Sequence, residues 1–237
     1  VELILREHQG DVGAVFYDGK PGLLDIPADF THFLRDITRE LGILLVMDEV
    51  VSFRAGYRGY QGLVGVEPDL TMFGKAMGGG FPVGVIGGRA DLMDLLDATT
   101  GESSLGQSGS FSGNSFTLAA GLATLRALTP EVFDRVSGTR ARLQTGLEDV
   151  FRRAGVPGEV LGEGAAASYY FTDQPVRDYR SFAALHDSAL AERVSLSLFL
   201  RGYNERGGIG LTISAPLTNE HVDGFLDAME GVLAEED

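Results

Sequence analysis

Two short apolar runs limit what this 237-residue chain can fold into, because each stops on residues able to do chemistry. Leu44-Leu45-Val46-Met47 leads directly into Asp48-Glu49, and Leu70-Thr71-Met72-Phe73 leads into Gly74-Lys75, with Gly78-Gly79-Gly80 beyond. Runs this short, bounded this way, read as buried strands. Phe30, Phe33, Leu34 and Ile37 fall at helical spacing just ahead of the first run, so residues 28–41 are expected to be helical. Strands alternating with helices indicate an α/β fold with a mainly parallel sheet. Such sheets bind ligands at the carboxyl ends of their strands, which is where Asp48 and Lys75 fall.

Lys75 is one of two lysines in the chain, the other being Lys20. Lysine shifts its pKa readily on burial and condenses with carbonyl compounds, which makes a lysine at a strand end a candidate nucleophile. The competing reading is a lysine on an ordinary loop, its stem along apolar surface and its ammonium in water. Asp48 poses the same choice, since an unpaired buried carboxylate is costly and calls for a cation or strong donor, from a neighbouring loop or from a ligand. A pyridinium nitrogen suits it. Pyridoxal 5′-phosphate (PLP) needs a lysine at its aldehyde carbon and an acid at its ring nitrogen, and Lys75 and Asp48 supply that pair.

Three blocks carry a family likeness: Gly42-Ile43-Leu44-Leu45-Val46-Met47-Asp48-Glu49-Val50; Pro68 to Lys75 with Gly78-Gly79-Gly80-Phe81-Pro82-Val83-Gly84; and Gly109-Ser110-Phe111-Ser112-Gly113-Asn114. In order and spacing they resemble class III PLP-dependent aminotransferases. The likeness is greatest to the glutamate-1-semialdehyde aminomutases and related β-amino-acid aminotransferases, through Phe53-Arg54, Gly87-Gly88-Arg89-Ala90-Asp91-Leu92-Met93 and Ser214-Ala215-Pro216-Leu217-Thr218. The resemblance implies a fold-type I large domain, present in part, and a small C-terminal α+β domain. It implies Lys75 as the Schiff-base lysine, Asp48 as partner of the ring nitrogen and Val50 against one face of the ring. Gly109 and Ser110 would reach the phosphate of the cofactor held by a partner subunit; a plain helix cap is the alternative for Ser110. The implied activity is amino-group transfer on an amino acid or amine in the cytoplasm, with an aminomutase or a catalytically incomplete PLP-fold subunit as the other readings.

The chain also departs from the pattern. The stretch from Asp48 to Arg54 is one residue short and lacks a glycine before Phe53; Ser115 stands where proline is usual; and Asp18-Gly19 replaces a Glu-Pro pair. Complete members of the family carry roughly another half-chain ahead of the first strand, so the sequence reads as a fragment or a split subunit. A homodimer, or a partner chain supplying the missing N-terminal half, is then expected.

Organisation follows from the remaining pattern. Strands are expected at 12–17 and 83–86, and helices at 90–96 and 116–128, with a long amphipathic helix starting at Pro130 and running to about Ala154. After Gly155-Val156-Pro157-Gly158 come alternating stretches at 168–172 and 210–214 and helices at 181–193 and 219–235. This divides the chain into 1–157, which the resemblance makes the C-terminal part of the PLP-binding large domain, and 158–237, the small C-terminal domain. Residues 98–107, polar and glycine/serine-rich, read as a loop or flap near the site.

The substrate class would present a carboxylate, for which arginine is the best bidentate partner. Arg54, directly after the cofactor strand, and Arg206, before Gly207-Gly208, are the candidates, with surface ion pairing as the alternative. A net charge of −15 argues against nucleic acid and anionic membranes as partners. No apolar run reaches the ~18 residues that span a bilayer. There is no cysteine, and the four histidines are scattered without metal-ligand spacing, so no metal is expected. A nucleotide-binding loop is disfavoured at Gly74-Lys75, since its glycines would precede the lysine and a Ser or Thr would follow it, whereas Ala76 follows here.

Overall fold

The computed structural model describes residues 1–19, 23–24, 27–97, 99 and 105–236. The chain forms two compact units, one of Val1–Gly19 with Pro27–Thr129 and one of Lys20–Ile26 with Pro130–Asp237.

In the first unit, helix α1 (Glu2–Glu7) precedes strand β1 (Ala14–Tyr17), helix α2 (Ala28–Leu41) and strand β2 (Leu44–Asp48). Helix α2 buries Leu34, Ile37 and Leu41 on one face and ends at Gly42, whose left-handed φ of 69° turns the chain straight into β2. Ile37, Leu41 and Ile43 pack with Leu5 of α1, and Val12, Val15 and Phe33 close that cluster. Helix α3 (Gly59–Val64), strand β3 (Leu70–Gly74) and strand β4 (Gly84–Gly88) follow, then α4 (Ala90–Met93) and α5 (Ser115–Ala127). The sheet order is β1-β2-β3-β4. Strands β1, β2 and β3 are parallel, with Tyr17 opposite Met47 and Asp48 opposite Met72, while β4 runs antiparallel to β3 with Gly74 opposite Gly84. The sheet is therefore mixed. Nine residues separate β3 from β4, and a parallel crossover needs a dozen or more, so only a reversal was open to that connection.

The second unit opens with α6 (Pro130–Ala154), started by a proline at its first position. Strands β5 (Glu159–Glu163) and β6 (Ala166–Tyr170), helices α7 (Tyr179–Leu185) and α8 (Ser188–Leu200), strand β7 (Leu211–Thr212) and helix α9 (Asn219–Leu233) complete it. Its antiparallel sheet has the order β5-β6-β7. Leu143, Leu147 and Val150 of α6 share one core with Val194 and Leu198 of α8 and Met229 of α9. This packing assigns α6 to the second unit and moves the division from the expected 157 to Thr129/Pro130. A single helix expected at 181–193 is two, because Asp187 caps α8 by accepting from the Leu190 N–H at 2.9 Å, while the Phe171 N–H donates to Nδ1 of His186 at 3.2 Å.

Candidate active site

The site is built where β1, β2 and β3 end together. Asp48 is the last residue of β2 and pairs with Met72, three residues before Lys75 on the neighbouring strand. Oδ1 of Asp48 accepts the Val50 N–H at 2.9 Å, which leaves Oδ2 for another donor. Asp48 is half-buried. Val50 turns back over β3, and a Cβ at Gly74 would stand 3.4 Å from its Cγ1, so Val50 and the residue before Lys75 are in contact range. The geometry thus gathers Asp48, Val50 and Lys75 on one edge of the first unit.

Lys75 is exposed and opens a 3-10 turn, Lys75–Gly78. Its φ of 49° is the one positive value among the described non-glycine residues, a conformation that costs free energy and persists only where the surroundings impose it. Phe73, two residues earlier, meets Phe53 edge-on with ring centroids 5.8 Å apart. Gly79 follows the turn with φ 61°, a conformation its lack of a side chain permits.

Sequence reasoning passed over Glu49. It is fully buried, and its two carboxylate oxygens accept the N–H groups of Tyr60 at 3.1 Å and Gln61 at 2.7 Å, at the start of α3. Burial pushes its pKa above the usual carboxylate range, against the lowering effect of those two hydrogen bonds. Its own N–H donates to the Met72 carbonyl at 2.9 Å, and its carbonyl accepts from the Phe53 N–H at 3.0 Å. Glu49 therefore ties the end of β2 to β3, to the Phe53 turn and to α3. The only signal in the sequence was an acidic residue directly after a buried strand.

Arg54 lies in the 3-10 turn Ser52–Ala55, half-buried, and its Nε has no hydrogen-bond partner among the described residues. Burial lowers its pKa from the usual arginine range. Arg206 is exposed in the 202–210 loop of the second unit, where the side chains lining an approximately 440 Å³ cavity include Tyr203, His221 and Phe225. Gly109 and Ser110 are exposed in a turn in which the Ser112 N–H donates to the Gly109 carbonyl at 3.0 Å. The N-terminus of α5 is capped by Asn114, whose Oδ1 accepts from Phe116 and Thr117 at 3.1 Å. Asn114 is thus the cap, and it occupies amides that an anion would otherwise have used. Of the expected flap at 98–107, residues 98 and 100–104 lie outside the described residues.

A family model, aminotransferase class-III, matches residues 2–202. Glutamate-1-semialdehyde 2,1-aminomutase 2 of Geobacillus kaustophilus (strain HTA426) is 36% identical over 238 residues, covering 94% of this chain and 53% of that protein. Among solved structures, an omega-transaminase from Sphaerobacter thermophilus superposes with a TM-score of 0.93 at 39% identity, over 98% of this chain and 54% of the other. A beta-phenylalanine aminotransferase from Variovorax paradoxus gives 0.88 at 30% identity, over 99% and 55%. The chain spans about half the length of the curated relatives it matches.

Proposed function

The chain belongs to the class III aminotransferase family, and from that premise we propose that it serves PLP-dependent amino-group transfer, with Lys75 as the residue that takes the cofactor covalently and then moves the proton. The register that sets Asp48 opposite Met72, and so beside the strand that delivers Lys75, carries this reading. The donor set fits the cofactor: an exposed amine on one strand end, a carboxylate on the next whose Oδ2 has no partner among the described residues, and the Val50 methyl groups against Gly74, the residue before Lys75. When bound, PLP supplies a carbonyl for the substrate amine and a ring able to accept electron density.

The residues then divide the work. Asp48, through Oδ2, would hold the proton on the ring nitrogen. Val50 would give one ring face an apolar surface and keep water from it. Lys75, displaced by the substrate amine, would be the base that takes the proton from the substrate carbon and returns it. Arg54, a half-buried cation whose Nε has no hydrogen-bond partner among the described residues, fits a substrate carboxylate; its burial favours an anion close by. Arg206 is the second candidate for that carboxylate. Gly109 and Ser110, exposed ahead of α5, would reach a phosphate held by a partner subunit, and the exposed Phe111, Phe116, Leu118 and Leu122 would be covered in that association. A homodimer, or a partner chain supplying the rest of a complete enzyme, belongs to the same proposal, as does a cytoplasmic setting. No described helix is long and apolar enough to cross a membrane.

Aminomutase chemistry is the second reading, favoured by the curated relatives named glutamate-1-semialdehyde 2,1-aminomutase. The two part at one point: a transaminase releases a keto product before a second substrate returns the amine, and a mutase does not. Incubating PLP-loaded protein with candidate amino acids and no acceptor tests this. Stoichiometric keto product supports transamination, internal exchange without release supports the mutase, and failure of the enzyme, completed by whatever chain supplies its remaining half, to bind PLP or turn over any amine contradicts both.

A further inference from the structure

Helix α5 presses on the turn that begins at Lys75, and it can do so because residue 121 has no side chain. A Cβ built at Gly121 collides with the Met77 carbonyl oxygen and comes within 3.7 Å of the Gly78 Cα. Looked at from the other side, a Cβ on Gly79 runs into the Ala120 carbonyl and lies 2.8 Å from Oγ1 of Thr124. The two backbones therefore touch directly, helix against turn, with Gly121 buried at the contact. Close-packed backbone of this kind transmits displacement, since there is no flexible side chain between the two elements to absorb it. Lys75 meanwhile keeps a left-handed φ of 49°, which something outside the residue has to enforce.

We propose that Gly121 is a positioning residue for Lys75: by admitting α5 against the Met77 carbonyl it holds the Lys75–Gly78 turn, and with it the lysine amine, in the one conformation the site uses. The proposal rests on the role given above to Lys75. It makes α5 part of the site mechanically, although no α5 side chain is assigned to cofactor or substrate.

The test compares Gly121→Ala with Gly138→Ala, a glycine in α6 with open space around its Cβ. Alanine is the better helix former in both places, so helicity favours folding of each. Amide hydrogen exchange over residues 75–80 is measured without cofactor. With PLP, the fraction of bound cofactor that borohydride fixes to protein is measured beside kcat and KM. Gly121→Ala is expected to speed exchange across 75–80 by roughly tenfold, to lower the fixed fraction, and to cut kcat by roughly ten- to a hundredfold with KM within about threefold. Gly138→Ala changes none of these. Unchanged exchange and fixation in Gly121→Ala overturn the proposal. If that variant does not fold, Ala123→Gly, on an exposed position of α5, weakens the same helix without filling the contact; it too speeds exchange at 75–80, and a turn indifferent to it overturns the proposal. A wild-type label on a residue other than Lys75 would instead refute the role of the lysine, leaving the exchange result to stand by itself.

Discussion

The second unit closes its core with its own side chains, whereas the first leaves much of its apolar surface open. Leu147, Val194, Leu198 and Met229 are all completely buried in one cluster fed by α6, α8 and α9. In the first unit Phe111 is 84% exposed, Phe116 75% and Phe16 67%, and Val85 and Ile86 of β4 are open to solvent together with Leu118 and Leu122 of α5. Patches of this kind are contact surfaces more often than idle ones. The same unit carries the strained Lys75, the buried Glu49 and the half-buried Arg54, whose Nε has no partner among the described residues. The proposed chemistry and incomplete cover thus coincide in the first unit, while the second closes a full core and leaves open Tyr179 and, on α8, Leu196, Phe199 and Leu200. The lesson is that site residues and core residues in this chain should fail in different ways.

The largest effect that would break this contrast is at Lys75. Lys75→Ala is expected to remove turnover by about 10⁴-fold or more, the upper range for losing an acid–base group, while the thermal midpoint stays near that of the parent. Loss of fold with loss of activity would place Lys75 among the structural residues. Next, Asp48→Asn should lower kcat on the order of a hundredfold and leave cofactor affinity much less changed, because a carboxylate facing a protonated ring nitrogen acts on developing charge. A normal kcat with raised KM would remove Asp48 from that role.

Core truncation gives the opposite signature. Leu198→Ala should cost about 2–5 kcal/mol, and Leu118→Ala, half-exposed on α5, within about 0.5 kcal/mol at low protein concentration. Denaturant titration reads both. A cost at Leu118 that grows with concentration would report a second copy over α5; equal costs at any concentration would dissolve the contrast.

The smallest effect concerns pH. Burial lowers the His186 pKa below its ordinary 6.5, against a raising effect from Asp187, and its Nδ1 accepts the Phe171 N–H. The unfolded chain therefore binds the proton first. The stability that neutral His186 contributes is complete above about pH 6.5 and drains away as pH falls towards the folded value. Between about pH 7.5 and about pH 5.5 the parent should lose more stability than His186→Gln, and parallel losses would dismiss the effect.

Much of this architecture was legible because local rules and tertiary packing agreed. Residues 28–41 had an apolar face and a glycine stop, and α2 has those bounds. Pro130 marked the start of α6. Strand β5 was missed because Glu159-Val160-Leu161-Gly162-Glu163 has too short an apolar run to signal a strand, and pairing with β6 makes it one. Likewise α3 has a glycine at its first position and no side-chain cap of its own; the carboxylate that serves it, Glu49, is eleven residues before the Tyr60 amide it accepts. Asp48 and Lys75 stood out because carboxylate and amine at strand ends are rare types in a rare place. Gly121 did not, since a glycine in a helix says nothing until the backbone it touches is known.

The most direct test of the central claim is to reduce the PLP-loaded protein with borohydride, digest it and map the pyridoxyl group. The label is expected on the peptide containing Lys75. A label on Lys20, or none on protein that demonstrably holds the cofactor, would contradict it.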